Sequence, residues 1–536
     1  MPKIKINGAE HEFDKGTNLI DACRQAGVEI PHFCYHPVLS IAGSCRMCQV
    51  EVQMNGRKSL TIACNTTVAD GMEITTESEL VAQVQNAVIE FLLLNHPLDC
   101  PICDEAGECK LQDYYMEYDR QPSRMDEPKL RKHKVVDLGP NVVLDSERCI
   151  LCSRCVRFFR EIIGKDELEI YNSGAYAEIA PLPNKKLDND YTGNAVDLCP
   201  VGALTDRRFR FKRRAWYLQA VDSICPGCSR GCNIEIHFDL NHNWKRQERR
   251  IQRLKPRLNL EVNKYWMCDP GRYGCEYIDA PDRLTKALIR TDNGLIETDY
   301  DEARRQMGAR LKKAISGAGR SKTAVILAPQ LSTGALYILK KLVTAIGVVN
   351  VDYRLPTVSE GKLDDLLQMS DRNPNSFAAE MIGLTPGEGG LSLPEILQAI
   401  KAGKIQNLLA VCCDPVELLG EADKAALAKL KFFGILHWTK VPAIEFAHFA
   451  LPIAAFAEGN GTYINFEGRV QRFNQAVEPL GDSRRAWQTI LLLGREMGYK
   501  FKAFSDAELF EAFANSADEY KGLIWDKIGH LGFMPK

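Results

Sequence analysis

The 536-residue sequence lacks long apolar runs. Its longest apolar cluster, "AVIEFLLL" at residues 87–94, is interrupted by Glu90 and is far shorter than the roughly 18 residues that a membrane-spanning helix needs. The first residues, "MPKIKINGAEHEF", lack the apolar core of an export signal. We therefore expect a cytoplasmic chain that reaches a membrane only through a partner.

The sequence also lacks an excess of basic residues. Its 68 Lys and Arg face 70 Asp and Glu, which gives a net charge of −2. Because nucleic-acid-binding proteins usually carry a strong basic excess, this balance argues against that class. Two local basic stretches, at residues 206–216 and 244–257, alternate charged with apolar residues as strands do. We predict that both form solvated or subunit-facing surface.

Cysteine is almost absent from the second half of the chain. Seventeen of the 19 cysteines precede residue 276, and the other two are Cys412 and Cys413. Without an export signal, disulfides are a poor explanation for so many thiols, whereas metal ligation suits cysteines that are bunched in short motifs. Metal chemistry is therefore expected in the N-terminal half. Cys412 and Cys413 follow a helix-like segment at a strand end and are predicted to be core thiols.

The N-terminal segment has the pattern of a small ferredoxin. It predicts a β-hairpin that turns at Asn7-Gly8, and then a short helix with Thr17 as its N-cap and Gly27 past its end. Cys23, on the apolar side of that helix, is expected in the core. Four cysteines follow with the spacing C-x10-C-x2-C-x15-C: Cys34, Cys45, Cys48 and Cys64. We call these four residues the first site. They suit a [2Fe–2S] cluster on a β-grasp scaffold, with zinc as the alternative.

A histidine stands just ahead of the next three cysteines. A helix is predicted to begin near Glu79, and the loop after it carries the spacing H-x3-C-x2-C-x5-C. The second site consists of His96, Cys100, Cys103 and Cys109. Three thiolates and one imidazole would hold a [4Fe–4S] cluster with less negative charge than an all-cysteine one, which generally raises its potential. A zinc ion on the same ligands is the alternative.

A bacterial ferredoxin pattern follows in "CILCSRCVRF" and "LCPVGAL". The third site consists of Cys149, Cys152, Cys155 and Cys199. A two-cluster ferredoxin would carry another cysteine where Phe159 stands, so we predict a single [4Fe–4S] cluster. Zinc is a weaker alternative here.

The last motif, "CPGCSRGC", has the spacing C-x2-C-x3-C. The fourth site consists of Cys225, Cys228, Cys232 and, from "YWMCDPGRYG", Cys268. Cys275 remains open as an alternative fourth ligand. The four sites together predict one [2Fe–2S] and three [4Fe–4S] clusters, or about 14 irons per chain.

The order of these motifs resembles the large iron–sulfur subunit of bacterial respiratory complex I, an NADH:quinone oxidoreductase. The same layout opens NAD-linked formate dehydrogenases and recurs in [FeFe] hydrogenases. The segment "LPIAAFAEGNGTYINFEGRVQRFNQAVEPLGDSRRAWQTI" resembles the end of a molybdopterin-oxidoreductase domain. The resemblance implies a multidomain α+β fold with these limits: a β-grasp [2Fe–2S] ferredoxin domain at 1–79, a histidine-ligated [4Fe–4S] domain at 80–120, an all-cysteine [4Fe–4S] ferredoxin-like domain at 121–218, a molybdopterin-oxidoreductase-type [4Fe–4S] domain at 219–276, and a shortened molybdopterin-oxidoreductase-like α/β domain at 277–536.

Two departures distinguish these relatives. The hydrogenases would need a second ferredoxin cluster and later cysteines, and neither is present. A formate dehydrogenase would need a cysteine or selenocysteine for molybdenum, but "GVVNVDYRLPTVSE" at 347–360 has none, and the remaining chain is too short to enclose two pterins. No molybdopterin is therefore expected. "SGAGRSK" at 316–322 is only part of a dinucleotide fingerprint and is discounted.

The resemblance implies an electron relay with no catalytic residue of its own. Electrons would come from NADH through a flavin-bearing partner subunit and leave through a downstream iron–sulfur subunit toward quinone. The complex would hold the chain on the cytoplasmic side of the inner membrane. The alternatives are a molybdenum or tungsten oxidoreductase, a zinc-rich scaffold, and the diaphorase arm of an NAD-reducing hydrogenase.

Overall fold

The computed structural model describes residues 1–119, 121–239, 249–354 and 364–535. Residues 244–248 of the second basic stretch and 355–360 of "GVVNVDYRLPTVSE" lie outside the described residues. The chain folds as two compact units, which we call unit 1 (Met1–Tyr217) and unit 2 (Leu218–Lys536). None of the helices in the described ranges combines the length and the apolarity needed to span a bilayer.

Unit 1 contains short strands and helices that alternate with long loops. Its strands are β1 Lys3–Ile6, β2 Ala9–Glu12, β3 Gln49–Met54, β4 Arg57–Ile62, β5 Glu73–Thr75, β6 Val136–Asp137, β7 Val142–Leu144, β8 Leu168–Tyr171, β9 Glu178–Pro181 and β10 Leu204–Asp206. Its helices are α1 Leu19–Gln25, α2 Glu79–Leu93, α3 Lys110–Tyr118, α4 Arg154–Phe158 and α5 Asn194–Leu198.

The first five strands form one mixed sheet in the order β2-β1-β5-β3-β4, as expected of a β-grasp domain. The hairpin between β1 and β2 turns at Asn7 and Gly8, whose φ values of 48° and 88° lie in the left-handed region that a tight hairpin turn requires. Helix α1 packs its apolar side into the core of this sheet, and Cys23 is fully buried there as predicted.

The N-cap of α1 was predicted wrongly. The hydroxyl of Thr17 donates to the carbonyl of Asp14 at 2.8 Å, so it is occupied by the preceding turn. Asn18 is the N-cap instead, and its Oδ1 accepts the N–H of Ile20 at 3.2 Å. Helix α2 begins at Glu79 as predicted, with Ser78 capping it through the N–H of Val81 at 3.3 Å.

The first basic stretch, residues 206–216, is not a strand. Strand β10 ends at Asp206, and residues 207–212 form turns. The Asp206 carboxylate accepts the backbone N–H of Arg208 at 2.8 Å, which closes the turn and ends the extended conformation. The part of the second stretch that the structure describes does enter a strand.

Unit 2 is an α/β domain preceded by a three-stranded sheet. Its strands are β11 Gln219–Ile224, β12 Asn233–Phe238, β13 Ile251–Pro256, β14 Ala287–Thr291, β15 Gly294–Thr298, β16 Thr323–Leu327, β17 Asn350–Asp352, β18 Asn407–Val411, β19 Phe432–His437, β20 Phe449–Pro452, β21 Gly461–Ile464 and β22 Val470–Phe473. Its helices are α6 Asp269–Tyr273, α7 Tyr300–Ala318, α8 Thr333–Ile346, α9 Ser376–Ile382, α10 Leu393–Lys401, α11 Pro415–Leu419, α12 Ala486–Glu496 and α13 Asp506–Ala514.

Seven of these strands form one sheet in the order β15-β14-β20-β19-β18-β16-β17. The five strands from β20 to β17 are parallel, and every residue of β16, β18 and β19 is buried. Such fully buried, mostly apolar strands are typical of a parallel sheet with helices on its faces. The multidomain α+β class, with an α/β domain at the C-terminal end, is confirmed.

The discounted "SGAGRSK" segment joins the end of helix α7 to strand β16. A dinucleotide fingerprint would run in the opposite order, from a strand into a helix. Cys412 and Cys413 directly follow strand β18 and lie in the apolar core, where burial raises the pKa of the Cys413 thiol to about 12. Both are therefore placed as core thiols.

Candidate metal centres

The first site is built on the hairpin of β3 and β4. Because Gln49 pairs with Ile62, the residues just outside the hairpin meet at its open end. There the N–H of Ala63 donates to the carbonyl of Cys48 at 2.9 Å, which brings Cys64 beside Cys48. The loop ahead of β3 supplies Cys45, and the loop after α1 supplies Cys34.

The four thiols of the first site converge. The thiols of Cys45 and Cys64 hydrogen-bond to the sulfur of Cys34, and the backbone N–H groups of Ser44 and Cys45 also point to it. These donors hold the pKa of Cys34 well below its usual range. Cys48 is linked to Cys64 in the same way, which lowers the pKa of Cys48. Sulfur atoms that accept backbone N–H groups are the surroundings that iron–sulfur clusters use.

The second site occupies the loop between α2 and α3. All four of its residues line one cavity of about 450 Å³. The N–H groups of Gln112 and Leu111, in the first turn of α3, donate to the sulfur of Cys109. Burial nonetheless raises the pKa of the Cys109 thiol to about 12 and lowers the pKa of His96 to about 4. His96 is therefore neutral at pH 7, as an imidazole ligand must be.

The third site is held by a tight loop and two short helices. Leu151 and Ser153 have φ values of 55° and 58°, and this conformation curls the loop so that the N–H of Leu151 reaches the sulfur of Cys149 at 3.4 Å. Cys155 lies in α4 and Cys199 directly follows α5. All four thiols line one narrow cavity. The Nε of Arg154, which lines the same cavity, is buried without a hydrogen-bond partner in the described part of the chain.

The fourth site lies between strands β11 and β12 and the start of α6. The N–H of Cys225 donates to the carbonyl of Cys232 at 2.9 Å, which closes the loop. Cys225, Cys228, Cys232 and Cys268 line one cavity of about 180 Å³. Cys275 does not line it, and its thiol instead lies 3.9 Å from the carbonyl of Arg272. The geometry thus favours Cys268 over Cys275 as the fourth ligand.

Two glycines lie close to the thiols in the wall of the fourth cavity. A Cβ added at Gly271 would lie 3.0 Å from the sulfur of Cys225 and 3.3 Å from that of Cys268. A Cβ at Gly227 would lie 3.4 Å from the sulfur of Cys225. The backbone can therefore approach the sulfur atoms closely, and a side chain at Gly271 would crowd them. Burial raises the pKa of the Cys268 thiol to about 12.

Two arrangements inside unit 1 connect its three sites. Arg157 is buried, and its Nη2 donates to the carbonyl of Cys34 at 2.6 Å and to the carbonyl of Cys152 at 3.3 Å. One guanidinium therefore joins a first-site residue to a third-site residue. The N–H of Lys110, next to Cys109, donates to the carbonyl of Pro200, next to Cys199, at 3.1 Å. That hydrogen bond joins the second site to the third.

Arg157, Arg154 and Gly202 were not predicted as site residues. A Cβ at Gly202 would collide with the sulfur of Cys103, so a glycine from the third motif lines the second cavity. Two signals were present in the sequence. Arginines stand inside the ligand motif "CSRCVRF", where a charge must find a partner if it is buried, and the glycine follows Cys199 by three residues in "LCPVGAL".

Family models match five segments of the chain. They are the 2Fe-2S iron-sulfur cluster binding domain at 2–79, the NADH-ubiquinone oxidoreductase-G iron-sulfur binding region at 85–124, the NADH-quinone oxidoreductase subunit 3 ferredoxin-like domain at 139–205, the molybdopterin oxidoreductase Fe4S4 domain at 218–280 and the molybdopterin oxidoreductase domain at 366–495.

The chain is also similar to curated proteins that are named as the G subunit of NADH-quinone oxidoreductase. The protein of Rickettsia conorii is 36% identical over 367 residues, which are 67% of this chain and 52% of that protein. The protein of Streptomyces coelicolor is 37% identical over 68% of this chain and 42% of its own length. That of Rickettsia bellii is 36% identical over 83% of this chain and 65% of its own length. The chain thus spans about half the length of most of these relatives.

Among solved structures, a chain of an NAD+-reducing [NiFe]-hydrogenase in the H2-reduced state is 29% identical. The match covers 40% of this chain and 90% of that one, with a TM-score of 0.36.

Proposed function

We propose, from the homology of this chain to the G subunits of NADH-quinone oxidoreductases, that it relays single electrons within such a complex. The observation that carries the proposal is the set of hydrogen bonds that joins the three sites of unit 1. Each site lies within one or two hydrogen bonds of the next, as a relay of closely spaced centres requires. The activity of the complex, NADH oxidation and quinone reduction, is part of the proposal.

The residues of the four sites fit iron–sulfur clusters. A buried thiolate is unfavourable unless a cation lies beside it, and burial raises the pKa of Cys109 and Cys268 to about 12 and that of Cys149 to about 11. Iron would supply that charge. We propose a [2Fe–2S] cluster at the first site and a [4Fe–4S] cluster at each of the other three. When bound, such clusters take up and release single electrons.

The side chains around the sites exclude water and fix the ligands. The third and fourth sites are lined by buried apolar residues such as Leu204 and Met267. Backbone N–H groups directed at Cys109 and Cys149 stabilise charge on the sulfur atoms. Arg157 keeps the first and third sites in a fixed relation, because its guanidinium has a carbonyl partner in each.

We propose that the C-terminal domain works without a pterin. Ligands of parallel α/β sheets bind beyond the carboxyl ends of the strands. There the structure has a cavity of about 50 Å³, lined by aromatic side chains that include Trp438, Tyr463 and Trp487. Ligand pockets usually measure about 300–1,000 Å³, so the small volume supports the proposal.

The proposed partners are a flavin-bearing NADH-binding subunit and a downstream iron–sulfur subunit, and through them the cytoplasmic side of the inner membrane. Three apolar residues at the second site support a partner surface, since each is more than half exposed: Leu98 and Met116, which line its cavity, and Ile102, next to Cys103. Isolated apolar residues are common on surfaces, but a group beside one site marks an interaction region.

The test is the metal content of the anaerobically purified chain, followed by EPR of the reduced sample. The proposal expects about 14 irons with matching acid-labile sulfide, one [2Fe–2S] signal and several [4Fe–4S] signals. Stoichiometric zinc in place of iron would reject the relay. About one molybdenum per chain would reject the proposal for the C-terminal domain and indicate a dehydrogenase.

A further inference from the structure

Arg148 belongs to two sites at once. Its backbone directly precedes Cys149 of the third site, yet its side chain lines the cavity of the second site. The residue is only 3% exposed. A guanidinium keeps its charge at any physiological pH, so a fixed positive charge lies in the wall of the second cavity.

Two of the three guanidinium nitrogens of Arg148 have partners. Nη2 donates to Asp99 Oδ2 at 3.0 Å, and Nε lies 3.3 Å from the same oxygen and 3.2 Å from Asp145 Oδ2. Lys134 also contacts Asp99, at 2.6 Å. Two carboxylates therefore orient the guanidinium from one side.

The third nitrogen, Nη1, is buried and has no hydrogen-bond partner among the described residues. Buried donors are nearly always paired, and an unpaired one on a charged group is especially unfavourable. Cys103 is the thiol of the second site whose electrostatic interaction with Arg148 is strongest. An acceptor inside the second cavity would satisfy Nη1.

We propose that Nη1 of Arg148 donates a charged hydrogen bond to a sulfur of the cluster held at the second site, and so positions that cluster and raises its reduction potential. The inference rests on the function proposed above, since it needs a cluster there. Reduction adds negative charge, which a nearby cation and an N–H donor stabilise. Arg148 is a positioning residue that also ties the first ligand of the third site to the wall of the second.

The first measurement compares reduction potentials in the complete chain by EPR-monitored redox titration. Arg148→Gln should make reduction of the second cluster at least about tenfold less favourable, which is about 59 mV for one electron. Arg148→Lys, which keeps the positive charge but loses the planar set of guanidinium N–H donors, should recover part of that shift. Arg131→Gln removes a charge from a side chain that is 83% exposed. It should change the equilibrium constant for reduction of the second cluster by less than about threefold.

The second measurement needs no variant that loses the charge. Wild-type protein grown with guanidino-¹⁵N arginine should show a ¹⁵N hyperfine coupling to the second cluster, identified by the nitrogen coupling of its His96 imidazole. The ¹⁵N coupling should disappear in Arg148→Lys. If Arg148→Gln fails to assemble, these two samples still decide the question.

The inference is overturned if Arg148→Gln keeps its full iron content and an unshifted potential. It is also overturned if wild-type protein with an intact second cluster shows no arginine nitrogen coupling. If the wild-type second site holds no iron–sulfur cluster, it is the proposed function that fails.

Discussion

Residues 94–217 and the seven-stranded sheet of unit 2 bury different kinds of side chain. The first region buries Arg148, Arg154 and Arg157 among its cysteines, and its longest strands have four residues. In the sheet of unit 2, strands β16, β18 and β19 are buried along their whole length, and most of their residues are aliphatic or aromatic. A charge in the protein interior stabilises a fold only while its partners are in place, whereas apolar burial needs no particular partner. We therefore expect the first region to depend on bound metal and the second to fold without it.

Removal of iron is expected to have the largest effect. Chelation under oxidising conditions should raise amide exchange across residues 94–217 by at least about tenfold, because metal binding is part of the folding free energy of ligand-rich loops. Strands β16, β18 and β19 should keep their protection. Hydrogen exchange measured by mass spectrometry reports both regions in one sample. An equal loss of hydrogen-exchange protection in both regions would contradict the expectation that only residues 94–217 depend on bound metal.

Loss of one cysteine ligand should remove iron from one site only. Cys268→Ser is expected to lower the iron content from about 14 to about 10 per chain, because Cys268 lines the fourth cavity. Cys275→Ser is the matched control and should retain about 14, since that thiol lies outside the cavity. Iron analysis distinguishes them. A loss of four irons in Cys275→Ser would reverse the assignment.

A core substitution should lower the stability of unit 2 without changing the iron bound at the second and third sites. Ile326, in strand β16, is fully buried, so Ile326→Ala should lower the free energy of unfolding of unit 2 by about 2–5 kcal/mol. Ile296→Ala, at a position 46% exposed, should cost about 0.5 kcal/mol or less. Urea denaturation followed by tryptophan fluorescence measures both. Loss of the second or third cluster in Ile326→Ala, seen by EPR, would show that the two regions are not independent.

Acid should destabilise unit 2 through buried histidine. Burial lowers the pKa of His437 to about 4, from 6.5 in the unfolded chain. Between these values the unfolded chain binds a proton that the folded chain does not. His437 should therefore contribute a loss of stability of about 1.4 kcal/mol per pH unit as the pH falls from 6.5 to 4, and no change above 6.5. His437→Gln should reduce the slope of the free energy of unfolding against pH between pH 4 and 6.5. An unchanged slope would be inconsistent with a neutral buried imidazole.

The arginine bridge of unit 1 should give the smallest effect. Arg157→Met leaves the carbonyls of Cys34 and Cys152 without their donor, and we expect a loss of about 1–3 kcal/mol from the free energy of unfolding of unit 1. Arg160→Met, which breaks an exposed pair with Asp166, should cost less than about 1 kcal/mol. Thermal unfolding of the iron-loaded chain separates the two. Equal effects would mean that the bridge has no special role.

Most short-range patterns were predicted correctly, but the N-cap at Thr17 and the strand-like pattern at residues 206–216 were wrong, and the long-range contacts were not predicted. The turn at Asn7-Gly8, the start of α2 and the burial of Cys412 follow from local sequence and were predicted. The cysteine spacing also predicted sets of thiols that the structure brings together. In the second, third and fourth sites, three of the cysteines lie within ten residues of each other. The 35 residues between Cys232 and Cys268 include β12 and β13, which pair side by side and so bring the two cysteines together.

Each failure depends on a hydrogen-bond partner, near or far in the chain, that the sequence pattern does not specify. Whether Thr17 or Asn18 caps α1 depends on which hydroxyl or amide the preceding turn has already engaged. The burial of Arg148 and Arg157 depends on partners more than 40 residues away, Asp99 and Cys34. No periodicity in the sequence records such partners.

The short motif "LCPVGAL" contributes to two sites: Cys199 belongs to the third site, while Gly202 makes room for Cys103 of the second. The two neighbouring domains match separate family models, at 85–124 and 139–205. They are nevertheless not interchangeable parts. A chimaera that imports one domain from a relative must import a compatible loop with it, and a deletion of one residue between Cys199 and Gly202 would damage both sites together.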